Sequence, residues 1–375
     1  MPGALGASSV VTTRLDHIRA NLDAIRARVG DRLVLAAVKA DAYGHGAVEV
    51  ARMIERTGAA DWLGVATTSE GLELRAAGVG LPILKLSVAR GEEVRAAVGA
   101  GLTLCVTDAA SIAEAGAAAS ALGTTVRVHL KVDTGMRRIG CEPAEAPALA
   151  GLADATPGVE LEGLFSHLPI SDSPRGEEFT RDQITLFRRT ADQVEAVHGR
   201  VVKHLANSGA VLGHPDAWLD LVRPGIMVYG AYPDPEAART VTLLPGLEWR
   251  TRVTFTKQVR AGETVGYGRT WTAPADTWIA TVPVGYGDGY SRLLSNRGRM
   301  LIGGRSYPIA GRVCMDQTMV DLGTATDVVV GDEVVLVGRS GAEEITTSEI
   351  AGLMGTIPYE VTCLITARVA RTVVG

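Results

Sequence analysis

A (β/α)8 barrel followed by a mostly antiparallel β domain, an α/β + β architecture, is the fold class that this 375-residue sequence predicts. Three observations predict it. Short apolar runs alternate with amphipathic or Ala-rich stretches through the first 240 residues. Near residue 241 the texture turns to short, often β-branched runs separated by Gly, Pro and Asp turns. Polar residues capable of chemistry fall repeatedly where the apolar runs end, and in a barrel those ends build the site.

The elements follow in order. Leu15, Ile18, Leu22, Ile25 and Val29 lie on one helical face, so 15–29 reads as an amphipathic helix. Buried strands are expected at 33–38, 62–66, 82–87, 102–106, 126–132, 161–166, 201–206 and 220–223. Helical stretches fill most gaps, among them 69–77, 108–121 and 178–197, and Thr67 with Glu70 is placed to form a capping box. Eight βα units in a row favour a closed barrel over an open doubly wound sheet. Beyond 241, strands are expected at 248–258, 277–284, 299–302, 306–310, 317–322, 333–337 and 361–369. Pro233-Asp-Pro-Glu236 is a candidate crossing point, because paired prolines disfavour both helix and central strand. The domains are accordingly expected at 13–240 for the barrel and 241–375 for the β domain, with residues 1–12 candidates to join the latter.

Composition narrows the function classes. Hydrophobic residues at 46% and charged residues at 21% describe an ordinary globular chain, and a formal net charge of -5 gives no reason to expect nucleic acid or an anionic membrane as partner. The leading Met1-Pro-Gly-Ala-Leu-Gly-Ala-Ser-Ser9 lacks the basic and apolar regions of a secretory signal, and no stretch of about 18 apolar residues occurs. Four scattered cysteines, Cys105, Cys141, Cys314 and Cys363, show neither metal-ligand spacing nor a disulfide framework. The expectation is a cytoplasmic protein with reduced, inert thiols and no metal.

Lys39 closes the run Val34–Val38 and opens a glycine-punctuated loop, which sets an amine at the mouth of the fold, where a lysine can form a Schiff base with an aldehyde cofactor. Most strand-end lysines are merely solvated, so the neighbours matter. Lys131, Asp133 and Arg138 lie at or after the fifth strand, His167 after the sixth, Asn207-Ser-Gly209 after the seventh and Arg223-Pro-Gly-Ile226 at the eighth. The loops after strands seven and eight are the usual barrel position for a phosphate. Ser208, Gly209, Gly225 and Ile226 offer a hydroxyl and backbone N–H groups there, with Tyr43 as a further phenolic donor. Read singly, His167 fits a satisfied strand-end histidine, Asp316 a turn residue and His45 a structural loop residue.

Eight segments, in order, closely resemble those of alanine racemases: Val38-Lys39-Ala-Asp-Ala-Tyr-Gly-His-Gly46, Lys131-Val-Asp-Thr-Gly-Met-Arg-Arg-Ile-Gly140, His204-Leu-Ala-Asn-Ser208, Arg223-Pro-Gly-Ile-Met-Val-Tyr-Gly230, Val265-Gly-Tyr-Gly-Arg269, Pro283-Val-Gly-Tyr-Gly-Asp-Gly289, Gly311-Arg-Val-Cys-Met-Asp-Gln317 and Pro358-Tyr-Glu-Val361. The resemblance implies a pyridoxal 5'-phosphate cofactor, alanine as substrate, and a homodimer whose active sites are completed by the second chain. It implies that Lys39 is the Schiff-base lysine and Tyr267 the opposing base. Arg223 resembles the arginine meeting the pyridine nitrogen, and Arg138 the one near the cofactor's phenolic oxygen and the substrate. Met315 resembles the residue whose backbone N–H meets the substrate carboxylate, and Tyr286 and Tyr359 those narrowing the entrance, Tyr359 also touching the cofactor. Tyr43, His167, Asn207, Ser208, Gly225 and Ile226 complete the implied cofactor contacts. Lys131 is carbamylated in some relatives. Two departures stand out: Phe165-Ser-His-Leu-Pro-Ile-Ser-Asp172 differs around its histidine, and Arg137 replaces a common glycine.

Racemisation requires proton delivery to either face of a near-planar carbanion, which two fixed bases achieve without moving. A phenol, with an ordinary pKa near 10, is a poor base at neutral pH and needs nearby donors or positive charge, for which His167 is the candidate. The implied activity is the interconversion of L- and D-alanine, supplying D-alanine for peptidoglycan. The alternatives are a racemase of serine or of broader specificity, a decarboxylase on the same plan, and a non-catalytic pyridoxal-phosphate-binding protein, the last disfavoured by the β domain and its Tyr267.

Overall fold

The computed structural model describes residues 8–375; the leading residues from which no secretory signal was read lie mostly outside that range. Its contacts divide the chain into two compact units: Ile18–Leu244, and Pro245–Gly375 with the described residues up to His17. The division falls past Pro233–Glu236.

The first strand, β1 (Ser9–Arg14), belongs to the second of these units. The barrel strands are β2 (Leu33–Ala37), β3 (Trp62–Val65), β4 (Ile83–Val88), β5 (Thr103–Val106), β6 (Val126–Lys131), β7 (Val159–Phe165), β8 (Val202–His204) and β9 (Leu221–Val222). All pair in parallel, in the order β8-β7-β6-β5-β4-β3-β2-β9. Bonds from Asp220 N to Lys203 O (3.1 Å) and from Arg223 N to Ala206 O (2.9 Å) complete the ring between β8 and β9. Strands buried on both faces read as near-continuous apolar runs, and each of the eight expected runs overlaps one of these strands.

The helix Leu15–Val29 occupies the range its periodicity predicts, and Ile18, Leu22, Ile25 and Val29 are fully buried. Thr67 caps the helix Thr68–Ala76 in the expected capping box. The Glu70 carboxylate of that box also accepts from Ala40 N (2.7 Å), tying the cap to the loop after β2.

The β unit contains β10 (Leu247–Arg252), β11 (Phe255–Val259), β12 (Thr264–Val265), β13 (Trp271–Thr272), β14 (Thr277–Val282), β15 (Arg299–Ile302), β16 (Arg305–Pro308), β17 (Thr318–Gly323), β18 (Glu333–Ser340), β19 (Glu343–Ile345) and β20 (Ala370–Val374). The main sheet runs β16-β15-β18-β10-β1-β20, with β19 on β18; its pairs are antiparallel except β1 with β20. A second sheet runs β11-β14-β17, and β12 pairs with β13. Its core gathers Trp249, Tyr290, Met300, Leu301, Val335 and Ile350 among others.

Two readings need correction. Residues 361–369 do not form a strand: Pro358–Cys363 is a helix with Pro358 in its first turn, and the strand follows as β20. Proline lacks the N–H that a first-turn residue does not need, so it starts a helix readily, and the β-branched content beyond it misled the pattern. The run 248–258 is two strands, broken at Val253-Thr254, where the chain passes from one sheet to the other.

Candidate active site

Each barrel residue singled out in the sequence stands at or just after the C-terminal end of a strand. Lys39 follows β2 and opens a turn in which Ala40, Asp41, Ala42 and Tyr43 all hold φ between 52° and 55°. Left-handed backbone costs L-residues roughly 1–2 kcal/mol each, so four in succession must be held. Ala42 N donates to Val38 O (2.8 Å), Gly46 N to Asp41 O (3.0 Å) and Ala47 N to Asp41 Oδ1 (2.7 Å). The turn buries Tyr43, whose ring lies 5.0 Å from that of Tyr229, and sets its hydroxyl beside Gly225. A Cβ on Gly225 would come 2.5 Å from that hydroxyl.

Cations gather here. Lys131 ends β6 buried, its ammonium 5.0 Å from the Phe165 ring centre; the Arg223 guanidinium lies 5.4 Å from the same centre. Burial, chiefly, with help from the charges of Arg223, Arg138 and Lys39, pushes Lys131 down to about 8. Burial pushes Arg223 down to about 9, which leaves it charged at neutral pH. Among the described residues, Lys131, Arg138 and Arg223 form no ion pair with a carboxylate. Arg223 donates instead to neutral acceptors: Ser166 O (2.7 Å), Leu205 O (3.1 Å) and His204 Nδ1 (2.8 Å).

His167 Nδ1 lies 3.4 Å from Arg223 Nη2, a long contact. Its imidazole is held well below the usual histidine range, first by burial and then by Arg223, Lys131, Arg138 and Lys39. It is therefore neutral, able to donate a hydrogen bond but not to lend positive charge, which removes one of the two kinds of help expected of it. Asn207 caps the short helix Ser208–Gly213 through Ala210 N (3.1 Å) and reaches Leu168 O (2.9 Å), while the Ser171 hydroxyl bonds its side-chain oxygen (2.7 Å). The unusual segment 165–172 thus supports the Asn207 cap.

One expected donor is already used: Gly225 N donates to Ser208 Oγ (2.9 Å). Ser208 keeps its own proton for another acceptor, so of that pair the hydroxyl is the group left to face an anion. Arg137 sits at φ 55°, which explains why glycine is common there. Asp133 Oδ1 holds that loop by accepting from Gly135 N (2.8 Å) and Arg137 N (3.1 Å).

Within the β unit, Tyr267 is 73% exposed at the tip of a turn between Gly266 (φ 76°) and Gly268 (φ 73°). Met315 is 52% exposed; its carbonyl accepts from Gly287 N (2.9 Å), and Tyr286 N donates to Cys314 O (3.0 Å), so the loops carrying Tyr286 and Met315 are laced together. That approach requires glycine at 285, where a Cβ would lie 2.2 Å from Cys314 O. Tyr359 is half-buried in the first turn of Pro358–Cys363. Asp316 is bound by Arg368 (2.8 Å), a surface ion pair. Burial pushes the Cys105 and Cys141 thiols up to about 12, where they are unreactive.

Sequence reasoning missed His129, His204 and Glu162 as a connected set. The period of two was the available signal: His129 shares a strand face with Lys131.

The donor set fits a phosphorylated aldehyde: a strand-end amine, three cations without carboxylate partners, and hydroxyls of Tyr43 and Ser208 on either side of Gly225. Fold and site together define a class, that of parallel-barrel enzymes built around a lysine at the C-terminal mouth, with a β unit appended in sequence. The family descriptions "Alanine racemase, N-terminal domain" and "Alanine racemase, C-terminal domain" match residues 13–233 and 246–373. The chain therefore belongs to the alanine racemase family, whose members are isomerases. It is 53% identical to an alanine racemase of Cutibacterium acnes over 362 residues, 96% of each chain. An alanine racemase structure from Clostridium difficile superposes with a TM-score of 0.93 at 36% identity, covering 99% of this chain and 96% of that one. One from Bacillus anthracis with bound L-Ala-P gives 0.89 at 34% identity, over 98% and 95%.

Proposed function

We propose that this chain interconverts L- and D-alanine with pyridoxal 5'-phosphate as cofactor, as a cytoplasmic homodimer that supplies D-alanine for peptidoglycan. No helix among the described residues is long and apolar enough to cross a membrane. The observation that carries the reading is the grouping of Lys131 and Arg223 about the Phe165 ring, with Lys39 and Arg138 near enough to lower Lys131; among the described residues Lys131, Arg138 and Arg223 have no carboxylate partner. Anionic groups on a ligand would supply the missing charge.

The cofactor would supply the electron-withdrawing group that makes the alanine Cα proton removable. Lys39 Nζ would hold the cofactor and then move a proton at one face of Cα, while Tyr267 Oη of the partner subunit would do so at the other. Arg223, charged and restrained by three acceptors, would meet the ring nitrogen and keep its own proton rather than give it up. Tyr43 and Ser208 hydroxyls would donate to the phosphate, and Met315 N–H and Arg138 would hold the substrate carboxylate. Tyr286 and Tyr359 limit the side chain to little more than a methyl group. Lys131, pushed down to about 8, is neutral in roughly a tenth of molecules at pH 7. A neutral amine can add to CO2, and the resulting carbamate would give Arg138 an anionic partner.

Purified protein given pyridoxal phosphate and L-alanine should carry the alanine to an equal mixture of enantiomers, read by chiral chromatography, and Lys39→Ala should abolish this. Cofactor bound through another lysine, or faster turnover of L-serine than of L-alanine, would overturn the assignment.

A further inference from the structure

A chain of hydrogen bonds crosses the inside of the barrel from Arg223, and beyond His204 its members have no part in the chemistry just described. Arg223 Nη1 lies 2.8 Å from His204 Nδ1, His204 Nε2 lies 2.7 Å from His129 Nδ1, and His129 Nε2 lies 3.3 Å from Glu162 Oε2. Both histidines are fully buried. The direction of every bond is settled from the arginine end, because a guanidinium only donates. His204 accepts at Nδ1, so its proton is on Nε2. That proton goes to His129 Nδ1, so the His129 proton is also on Nε2 and goes to the carboxylate.

The surroundings are shaped to this chain. His204 stacks on Phe165 with ring centres 4.8 Å apart and planes at 3°, and Phe165 also underlies Arg223 and Lys131. The Trp62 ring centre lies 5.5 Å from that of His129. A Cβ on Gly163 would come 2.6 Å from His129 Nδ1, so only glycine admits the imidazole. Burial, first, and the cations Arg223 and Lys131 hold His204 well below its usual range; burial, opposed by Glu162, lowers His129. Both rings are therefore neutral, as one proton per ring requires. Glu162 opens on a cleft of about 650 Å³ shared with Leu33, Arg200, Val202 and Asp220, residues at or near the N-terminal ends of their strands. The other Glu162 oxygen lies 3.7 Å from Arg127 Nε.

We propose that Glu162 is a positioning residue for Arg223: one carboxylate at the far mouth of the barrel sets the tautomers of two histidines and so fixes which way the guanidinium faces. This rests on the racemase reading for its consequence, though not for its geometry. Among the described residues, Glu162 alone accepts from His129 Nε2–H, so without the carboxylate no side chain fixes that proton. A proton moved to its Nδ1 would oppose His204 Nε2–H, and a matching move in His204 would place Nδ1–H against Arg223.

The test uses the cofactor-loaded protein labelled with ¹⁵N in histidine. Long-range ¹H–¹⁵N correlation should show His129 and His204 as Nε2–H tautomers from pH 6 to 9 (roughly the span in which a neutral imidazole is expected). Glu162→Leu should convert a substantial fraction of both to Nδ1–H, and Glu162→Gln, whose amide oxygen still accepts, should not. The second readout is the side reaction in which alanine's amino group stays on the cofactor, giving pyridoxamine phosphate and pyruvate, a course that a proton on the ring nitrogen would favour. Its share of turnovers should rise about tenfold or more in Glu162→Leu and stay within about twofold in Glu162→Gln, a tenfold change being about 1.4 kcal/mol. A folded Glu162→Leu with wild-type tautomers and wild-type partition overturns the proposal. Should that variant not fold, Glu162→Asp withdraws the carboxylate by one methylene, and wild-type spectra there overturn it equally. Intact tautomers in a protein that does not racemise would sink the functional reading alone.

Discussion

Arg299 and Arg250 of the β unit and Arg223 of the barrel are held in different ways, and the contrast separates function from stability. In the β unit, Arg299 is bound by Glu349 (2.7 Å) and Glu343 (2.8 Å), and Arg250 by Glu248 and Glu333. Hydrogen bonding to Glu349 raises Arg299 above its ordinary pKa. In the barrel, Arg223 is more deeply buried, meets carbonyls and the imidazoles of His204 and His167, and is pushed down by desolvation. A buried cation without a counter-charge is costly unless a partner arrives. Arg299 and Arg250 have their charges balanced within the β unit, whereas Arg223, with Lys131 beside the same Phe165 ring, leaves positive charge for a ligand to balance.

The largest expected effect crosses that divide. Tyr267 is exposed and stands outside the β unit's core, so Tyr267→Phe should leave the melting temperature unchanged. It should nonetheless cost racemisation about 10²–10⁴-fold, or roughly 2.7–5.4 kcal/mol. Mixing it with Lys39→Ala subunits should restore activity; demonstrated subunit exchange without recovery would break the shared-site reading.

Acid should act on the barrel first. His129, His167 and His204 all have folded pKa values below the unfolded value near 6.5, so below that pH the unfolded chain binds more protons and stability falls. Their contribution is complete above about pH 6.5. Each imidazole removes at most about 1.4 kcal/mol per pH unit below it, with Glu162 moderating His129. The β unit carries one histidine, His17, of the seven in the chain. Amide exchange, corrected for its intrinsic pH dependence, should show barrel amides losing protection between pH 7 and 5.5 more than those of the β unit. Equal loss in both would erase the contrast.

The smallest effect concerns Lys131. Incubation with ¹³C-bicarbonate should give a carbamate carbon signal that Lys131→Ala removes, with racemisation reduced by about tenfold or less, near 1.4 kcal/mol. A signal unchanged by the substitution would leave the barrel's cations waiting wholly on the cofactor and substrate.

Legibility in the sequence followed locality. Lys39, Lys131 and Arg223 were readable because each ends an apolar run. The stretch 361–369 was misread because strand pattern and a proline-started helix look alike over a few residues. The helix Thr347–Met354 and β1 were not read at all, β1 being short and completed only by β10 and β20 from the far end of the chain.

The sequence by itself determined the order of strands and helices, the strand ends that carry the amine and the cations, and the family. Period and capping act over a few residues, and those are printed in the chain. Only the tertiary structure decided that Gly225 N–H is spent on Ser208, that His167 is neutral, that Arg137 holds a left-handed backbone, and that Glu162 is joined to Arg223 through two buried imidazoles. Those outcomes depend on desolvation and on partners brought together by barrel closure, such as His129 and His204, 75 positions apart in sequence. No local pattern encodes them.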